Sequence, residues 1–320
     1  MRLRDLGERR LIDRLARLYG TVNRDDCATL DAGGDYLLVT SDLVSQHTHF
    51  PADATAYQMG WFVVAVNLSD IAAAGGAPEG VVLSLGLPPD LEVDFLEELA
   101  AGARACATSY ATAVIGGDTK EAPSLILCGT ALGRVAKRRY LSRRGMAPGD
   151  RVCVTGGLGR AGAALEALEA LTGGGDGQTL EALLLVQPRL AAGQAAAAVG
   201  GVTAAMDLSD GLSSSLYQLM ALNQAGFRIE AEAVPVDPLA EESGDPLRLA
   251  LHAGGDYEML FTVRPEAVEG VRRAVEATGL PCTVIGRVIH EQRAVVVRED
   301  GEQVLPDGGY EHFRARGKTL

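Results

Sequence analysis

Apolar residues fall in two rhythms along this chain. Short runs of four to eight alternate with longer stretches spaced for one helical face. Residues 37–44, Leu37 to Val44, read as a strand. Residues 54–75 are long, Ala-rich and closed by Gly75 and Gly76, which predicts a helix rather than a strand. A strand over 81–87, a helix from 90 to about 110, a short strand at 113–115 and a strand over 125–135 follow. This half alternates α and β elements and contains one direct strand-to-strand step.

The character changes between Lys137 and Asp150, where basic residues and a Pro-Gly-Asp turn form a bridge. The expected domains are residues 1–140 and 141–320. The second half is predicted to open with a strand at 151–155, a Gly turn and a helix to about residue 171. Gly173 to Gly175 read as a loop. A helix is expected over most of 178–199 and another after Asp210. Strands are expected at 227–234, 259–263, 283–289 and 294–298, with a helix near 266–278. The fold class is α/β (α+β) in two domains.

Composition narrows the function. The 320 residues are 47% hydrophobic and 22% charged, as in globular proteins. Glycine is the outlier at 39 residues, above the usual share of about 7%. The net charge of −13 argues against nucleic acid or an anionic membrane as main partner. The start, Met1 to Asp5, is too charged for a signal peptide, and Asn67, Ser69 and Asp70 interrupt the longest apolar run, 62–74. The five cysteines form no CxxC pair, which fits reduced thiols in a cytoplasmic protein.

The chemistry is signalled by where the acids fall. Asp42, Asp70, Asp118, Asp207 and Asp210 interrupt apolar segments, and Asp25-Asp26 adds a further pair. Any one of them reads well as a helix cap or turn former. Taken together they do not, because unpaired carboxylates in a core repel one another and lose their hydration. Few interior Lys or Arg residues are expected to neutralise them. Oxygen-only ligands favour Mg²⁺, which commonly accompanies phosphate. Asp42 and Asp118 are expected at strand ends, and Asp207 and Asp210 at a helix start where they can converge.

Gly116-Gly117 and the turn Gly156 to Gly159 are candidate phosphate cradles, the latter because it opens a helix. Gly157-x-Gly159-x-x-Gly162 matches a dinucleotide fingerprint, but no second strand ending in an acid follows about 20 residues on, which disfavours nicotinamide binding. Gly317-Lys318-Thr319 lacks the upstream glycine of a P-loop. His47-x-His49 lacks a third soft ligand for zinc. Ser213 to Ser215 read as helix surface, and Trp61 as core.

Several motifs occur in one family's order. They are Asp25-Asp26-Cys27-Ala28, Thr40-Ser41-Asp42-Leu43-Val44 with His49-Phe50, Asn67-Leu68-Ser69-Asp70, and Gly116-Gly117-Asp118-Thr119. Ser142-Arg143, Val154-Thr155-Gly156, Met206-Asp207-Leu208-Ser209-Asp210-Gly211 and Gly255-Asp256-Tyr257-Glu258 complete the set. Together they resemble the thiamine-monophosphate kinases, within the superfamily of aminoimidazole ribonucleotide and selenophosphate synthetases. The resemblance implies an N-terminal mixed-sheet domain that pairs with a second subunit in a homodimer, a C-terminal α/β domain, and ATP in the cleft. It implies several Mg²⁺ ions held by Asp26, Thr40, Ser41, Asp42, Asp70, Asp118, Asp207 and Asp210. It implies ATP contacts from Tyr110, Gly117, Asp118, Arg143 and Ser209, and a substrate contact from His49.

The chain departs from the family at Arg24, where a glycine usually precedes Asp-Asp. It departs again at Gly255, often an acid, and at Asp307, which aligns with a C-terminal aromatic that packs on the substrate. Asp307 or Tyr310 is expected to take over part of that role. The expected reaction is phosphoryl transfer from ATP to thiamine monophosphate. The alternatives are another ATP-dependent enzyme of the superfamily with a different acceptor, or a catalytically silent nucleotide-binding regulator.

Overall fold

A computed structural model describes residues 2–21, 24–170 and 177–313. The first half contains α1 (Glu8–Tyr19), β1 (Ala28–Ala32), β2 (Asp35–Ser45), α2 (Gln46–His49), α3 (Ala56–Ala73), β3 (Ala77–Leu87), α4 (Val93–Ser109), β4 (Val114–Glu121) and β5 (Ile126–Ala136). Its five strands lie in the order β1-β2-β5-β3-β4. Neighbours are antiparallel except β3 and β4, which run parallel because α4 crosses between them.

The second half contains β6 (Arg151–Thr155), α5 (Arg160–Ala170), α6 (Gly177–Leu184), α7 (Leu190–Val199), β7 (Val202–Asp207), α8 (Leu212–Asn223) and β8 (Gly226–Glu230). It continues with α9 (Pro238–Glu241), α10 (Pro246–His252), β9 (Met259–Val263), α11 (Val268–Glu276), β10 (Cys282–Ile289), β11 (Ala294–Arg298) and β12 (Gly301–Val304). These strands form a seven-stranded sheet, β12-β11-β8-β10-β6-β9-β7, antiparallel except for β11 beside β8. The molecule is the mixed α/β fold the alternation predicts.

The element that positions the site is α3. Thr55 caps it, its Oγ1 accepting from the Gln58 N–H at 3.2 Å while Gln58 Oε1 accepts from the Thr55 N–H at 3.0 Å. All its residues except Tyr57, Trp61 and Asp70 are buried, as an all-round apolar helix requires. One side lies on β2 and β5; other sides meet α4, α6 and α7. The core of the first sheet therefore includes Ala161, Ala164, Leu180, Leu183, Leu184, Val186 and Leu190 from beyond the basic bridge. Trp61 is half-buried against this core, and its Nε1–H donates to the Val186 carbonyl at 2.7 Å.

Several expectations need correction. The helix expected over 178–199 is two helices, broken between Leu184 and Leu190, where Pro188 has no N–H to continue a ladder. The short strand at 113–115 runs on to Glu121, and the strand expected to reach 234 stops at Glu230 in a 3₁₀ turn. Asp42 and Asp118 stand inside β2 and β4 rather than at strand ends. Ser213, Ser214 and Ser215 are fully buried. The 173–175 loop and Gly317 to Thr319 fall outside the described residues. Among the described residues, no helix is long and apolar enough to cross a membrane.

The α3–α4 crossing is close enough to require glycine on both helices. A Cβ on Gly60 would lie 1.9 Å from the Leu99 carbonyl oxygen, and one on Gly102 would lie 1.9 Å from the Tyr57 oxygen. Gly60→Ala or Gly102→Ala must push the helices apart. Each is expected to cost about 1–3 kcal/mol of stability, read as a shift in urea midpoint at unchanged m-value; an unchanged midpoint would contradict this packing.

Candidate active site

Five carboxylates converge where the two sheets meet. On β2, Thr40 and Asp42 point to the face covered by α3, since alternate residues of a strand share a face. The Thr40 Oγ1–H donates to Asp70 Oδ2 near the end of α3. The Asp42 N–H donates to Asn67 Oδ1 at 3.1 Å. Asp207 ends β7 and accepts from the Ser69 hydroxyl at 2.7 Å, so one turn of α3 joins the two halves. Asp26 sits in the turn before β1, and its carboxylate is gripped by Arg143: Nη2 donates to Oδ1 at 2.6 Å and Nε to Oδ2 at 3.2 Å. Asp210 precedes α8 and accepts from Gln218 Nε2 at 3.3 Å.

Carboxylate oxygens of Asp26, Asp70 and Asp207 lie within 4.8 Å of one another. Burial, then Asp26 and Asp210, pushes Asp42 up to about 6. Asp70 is raised well above the carboxylate range by burial, then by Asp42 and Asp207. Burial and Asp26 take Asp207 to about 7, although the Ser69 hydroxyl and Arg143 pull the other way. Asp210 rises to about 6 through burial and Glu8. Burial disfavours the charge of Arg143, but Asp26 more than restores it, and the guanidinium stays protonated. One guanidinium cannot balance this many acids, and the oxygen-only donor set suits a hard divalent cation. Cys27 stands beside Asp70 as a neutral thiol, its pKa raised well above normal by burial and then Asp70.

The remaining expected residues are placed unevenly. Ser41 faces the opposite side of β2, with its Oγ donating to the Gly129 carbonyl at 3.0 Å. Asp118 is exposed on β4, 3.6 Å from Lys120, and the structure does not bring it to the other acids. Gly117 is exposed beside it, with its Cα packed so tightly that a Cβ would meet the Leu83 oxygen at 1.8 Å. The Tyr110 hydroxyl donates to Gln187 Oε1 at 3.0 Å. Ser209 is half-buried, and its carbonyl accepts from the Gly255 N–H at 2.7 Å. Gly255 itself has φ +99°, a conformation that favours glycine over the usual acid.

His49 Nδ1 accepts from the Ser45 N–H at 3.3 Å, leaving the proton on Nε2. Burial and then His312, 5.5 Å away between ring centres, lower its pKa to about 4. Tyr310 packs edge-on to His312 at 4.8 Å, and its N–H donates to the Asp210 carbonyl at 3.0 Å. The Asp307 carboxylate is paired with Arg9. Arg9 also donates to Ser214 Oγ at 2.6 Å, and Glu8 Oε2 accepts from the His312 N–H at 2.9 Å. The two chain ends are thus clasped over α8.

The Gly turn expected to cradle phosphate is already filled. Asp256 accepts from the Gly159 N–H at 2.7 Å and the Ala161 N–H at 3.0 Å, so its carboxylate occupies the anion position at the start of α5. Interior cations also exceed the expectation, because Arg189 Nε donates to buried Glu258 at 3.0 Å. Sequence reasoning missed Arg9, Gln218 and Tyr257. Tyr257 holds φ +51°, an uncommon backbone state for a bulky residue, and its buried phenol lies beside the acid cluster.

Residues 24–135 match the sequence profile of the AIR synthase related protein, N-terminal domain, and residues 147–299 match its C-terminal domain. A thiamine-monophosphate kinase of Methanospirillum hungatei is 36% identical over 288 residues, covering 90% of this chain and 92% of that protein. One of Halobacterium salinarum is 38% identical over 292 residues, covering 90% and 95%. The chain belongs to the thiamine-monophosphate kinase family. A solved structure described as AaThiL complexed with AMPPCP and TMP superposes with TM-score 0.87 at 30% identity, over 98% of this chain and 99% of that one. The family's Asp-Asp, Asn-Leu-Ser-Asp and Met-Asp-Leu-Ser-Asp segments are the ones that build the acid cluster here.

The raised carboxylate values carry a sign. Between pH about 4, where free carboxylates titrate, and about 7, the native cluster holds protons that the unfolded chain has lost. Native stability therefore falls as pH rises from about 4, and the loss is complete once Asp42 and Asp210, at about 6, and Asp207, at about 7, have ionised. His49, with its lowered value, acts oppositely between about 4 and its ordinary range. A divalent cation competes with the cluster's protons alone. The gain in Tm on adding Mg²⁺ to EDTA-treated protein is expected to grow from pH 5 to pH 7.5; a gain independent of pH would contradict the cluster's electrostatics.

Proposed function

We propose that this protein transfers the γ-phosphoryl group of ATP to the phosphate of thiamine monophosphate, giving thiamine diphosphate and ADP. The observation that carries this reading is the convergence of Asp26, Asp42, Asp70, Asp207 and Asp210 in one partly buried site between the sheets. The acceptor is already an anionic oxygen, so no general base is needed. The obstacle is repulsion between two phosphate groups and alignment for in-line attack. Those five carboxylates and the Thr40 region would hold Mg²⁺, which screens phosphate charge when bound.

The chain's own groups supply the rest. Arg143, kept protonated beside Asp26, offers guanidinium N–H groups to nucleotide phosphates. Tyr110 and Ser209 border the ATP side. Neutral His49, with Nε2–H free to donate, belongs to the acceptor side with Tyr310 and His312, whose rings offer faces to a flat cationic heterocycle. Asp118 and Gly117 enter this reading through assembly. All of β4 is exposed, as are Leu30 and Leu43 on the outer face of the sheet, and Ile115. An unpaired apolar edge of this kind is a liability that a second copy removes. We therefore assign the protein as a homodimer through the first sheet.

Incubation with ATP, Mg²⁺ and thiamine monophosphate is expected to yield thiamine diphosphate. Asp70→Asn and Asp207→Asn should each lower kcat at least about a hundredfold while the metal-free fold persists. Wild-type turnover in both variants would refute the metal-site reading. The assembly is checked separately: light scattering at micromolar concentration should give a dimer mass, and Ile115→Asp should shift it toward monomer. A monomeric wild type would overturn the assignment.

A further inference from the structure

Asp25, the neighbour of the metal-facing Asp26, points the other way. Its carboxylate accepts three hydrogen bonds from a single short segment. The Tyr140 hydroxyl donates to Oδ2 at 2.7 Å, the Ser142 hydroxyl to Oδ1 at 2.9 Å, and the Arg143 N–H to Oδ1 at 2.8 Å. That segment is where the chain leaves the first sheet for the second. Its far side is pinned as well. The Ser142 carbonyl accepts from the Ala205 N–H at 2.9 Å, two residues before Asp207. The Arg143 carbonyl accepts from Asn223 Nδ2 on α8 at 2.8 Å. The peptide group before the Arg143 Cα is thus held from both halves, and the one after it from the second.

We propose that Asp25 is a positioning residue for Arg143: it fixes the backbone from which the guanidinium reaches both the acid cluster and the nucleotide phosphates. This rests on the reading of Arg143 as an ATP contact. The physical reason is economy of motion. An arginine side chain has many rotamers, and its bidentate fork is effective only when its base is fixed and its distal nitrogens have set partners. Here Nε and Nη2 find Asp26, and Nη1 donates to Gln218 Oε1 at 3.1 Å. A structural tether with no bearing on the nucleotide would also hold the crossing together. The two roles differ in whether the effect of Asp25 passes through the Arg143 side chain.

The test is a double-mutant cycle in the full-length protein. Asp25→Ala is expected to raise KM for ATP about tenfold and leave KM for thiamine monophosphate within about twofold. In an Arg143→Ala background the same change should add less than about threefold, because the group it positions is gone. Tyr140→Phe and Ser142→Ala, each removing one donor, should move KM for ATP in the same direction by a smaller factor. If Asp25→Ala does not fold, these two variants decide. An unchanged KM for ATP in them, or the full Asp25→Ala penalty persisting without Arg143, overturns the proposal. Arg143→Ala with a normal KM for ATP overturns the nucleotide reading itself, and the positioning role falls with it.

Discussion

Like charges held together away from water are the constraint on which this structure depends. At 4.8 Å and an effective dielectric constant near 20, one pair of carboxylates repels by about 3.5 kcal/mol. The pairs among Asp26, Asp70 and Asp207 would consume a large part of the stability of an ordinary domain, typically about 5–15 kcal/mol. The chain answers in three ways. Protons are retained on the cluster, Arg143 is drawn in against its own burial, and hydroxyls of Thr40 and Ser69 donate to the most enclosed oxygens. A site built so is prepared to bind positive charge, which is what two mutually repelling phosphate groups need beside them.

Such a cluster persists only if its supports do not yield, and this explains the arrangement around α3. The helix is buried on nearly every side, so it cannot shift, and Ser69 cannot swing toward water, without opening a core that spans both halves. Glycines at the α4 crossing, and Gly193 where α7 meets the Ala72 carbonyl, let backbones approach closely enough to fix that core. The Ser69–Asp207 bond is then less a source of stability than a reference point that sets one sheet against the other. Packing is the cause here and electrostatic geometry the consequence.

Much of this was legible in the sequence because it rests on local rules. Acids interrupting apolar runs marked Asp42, Asp70, Asp207 and Asp210, and periodicity located α3 and most strands of both sheets. What the sequence could not show was partnership. Asp256 looks like any acid, yet it fills the anion position that the Gly turn 156–159 seemed to offer a phosphate. Ser213 to Ser215 carry no sign that packing against other segments will bury them. The split near Pro188 was a local signal passed over, since flanking helical periodicity outweighed one proline. Asp118 shows the remaining limit: its place on an exposed edge strand has meaning only with the surface that covers that edge.

The two ends of the reaction are built from different parts of the chain. The phosphate side is interior: turns and strand positions locked by the two cores, with little freedom to vary. The proposed acceptor side lies where Glu8 and Arg9 hold the 307–312 segment through His312 and Asp307, and where the Tyr310 N–H donates to the Asp210 carbonyl. Changes such as Gly255 and Asp307 fall on that second side. The Asp307–Arg9 ion pair anchors the segment in which His312 lies near His49 and Tyr310 packs on His312. The backbone hydrogen bond between Tyr310 and Asp210 indexes this aromatic segment to the acid cluster. On the proposed assignment, substitutions in the 307–312 segment would alter acceptor recognition while leaving the core-held acids in place.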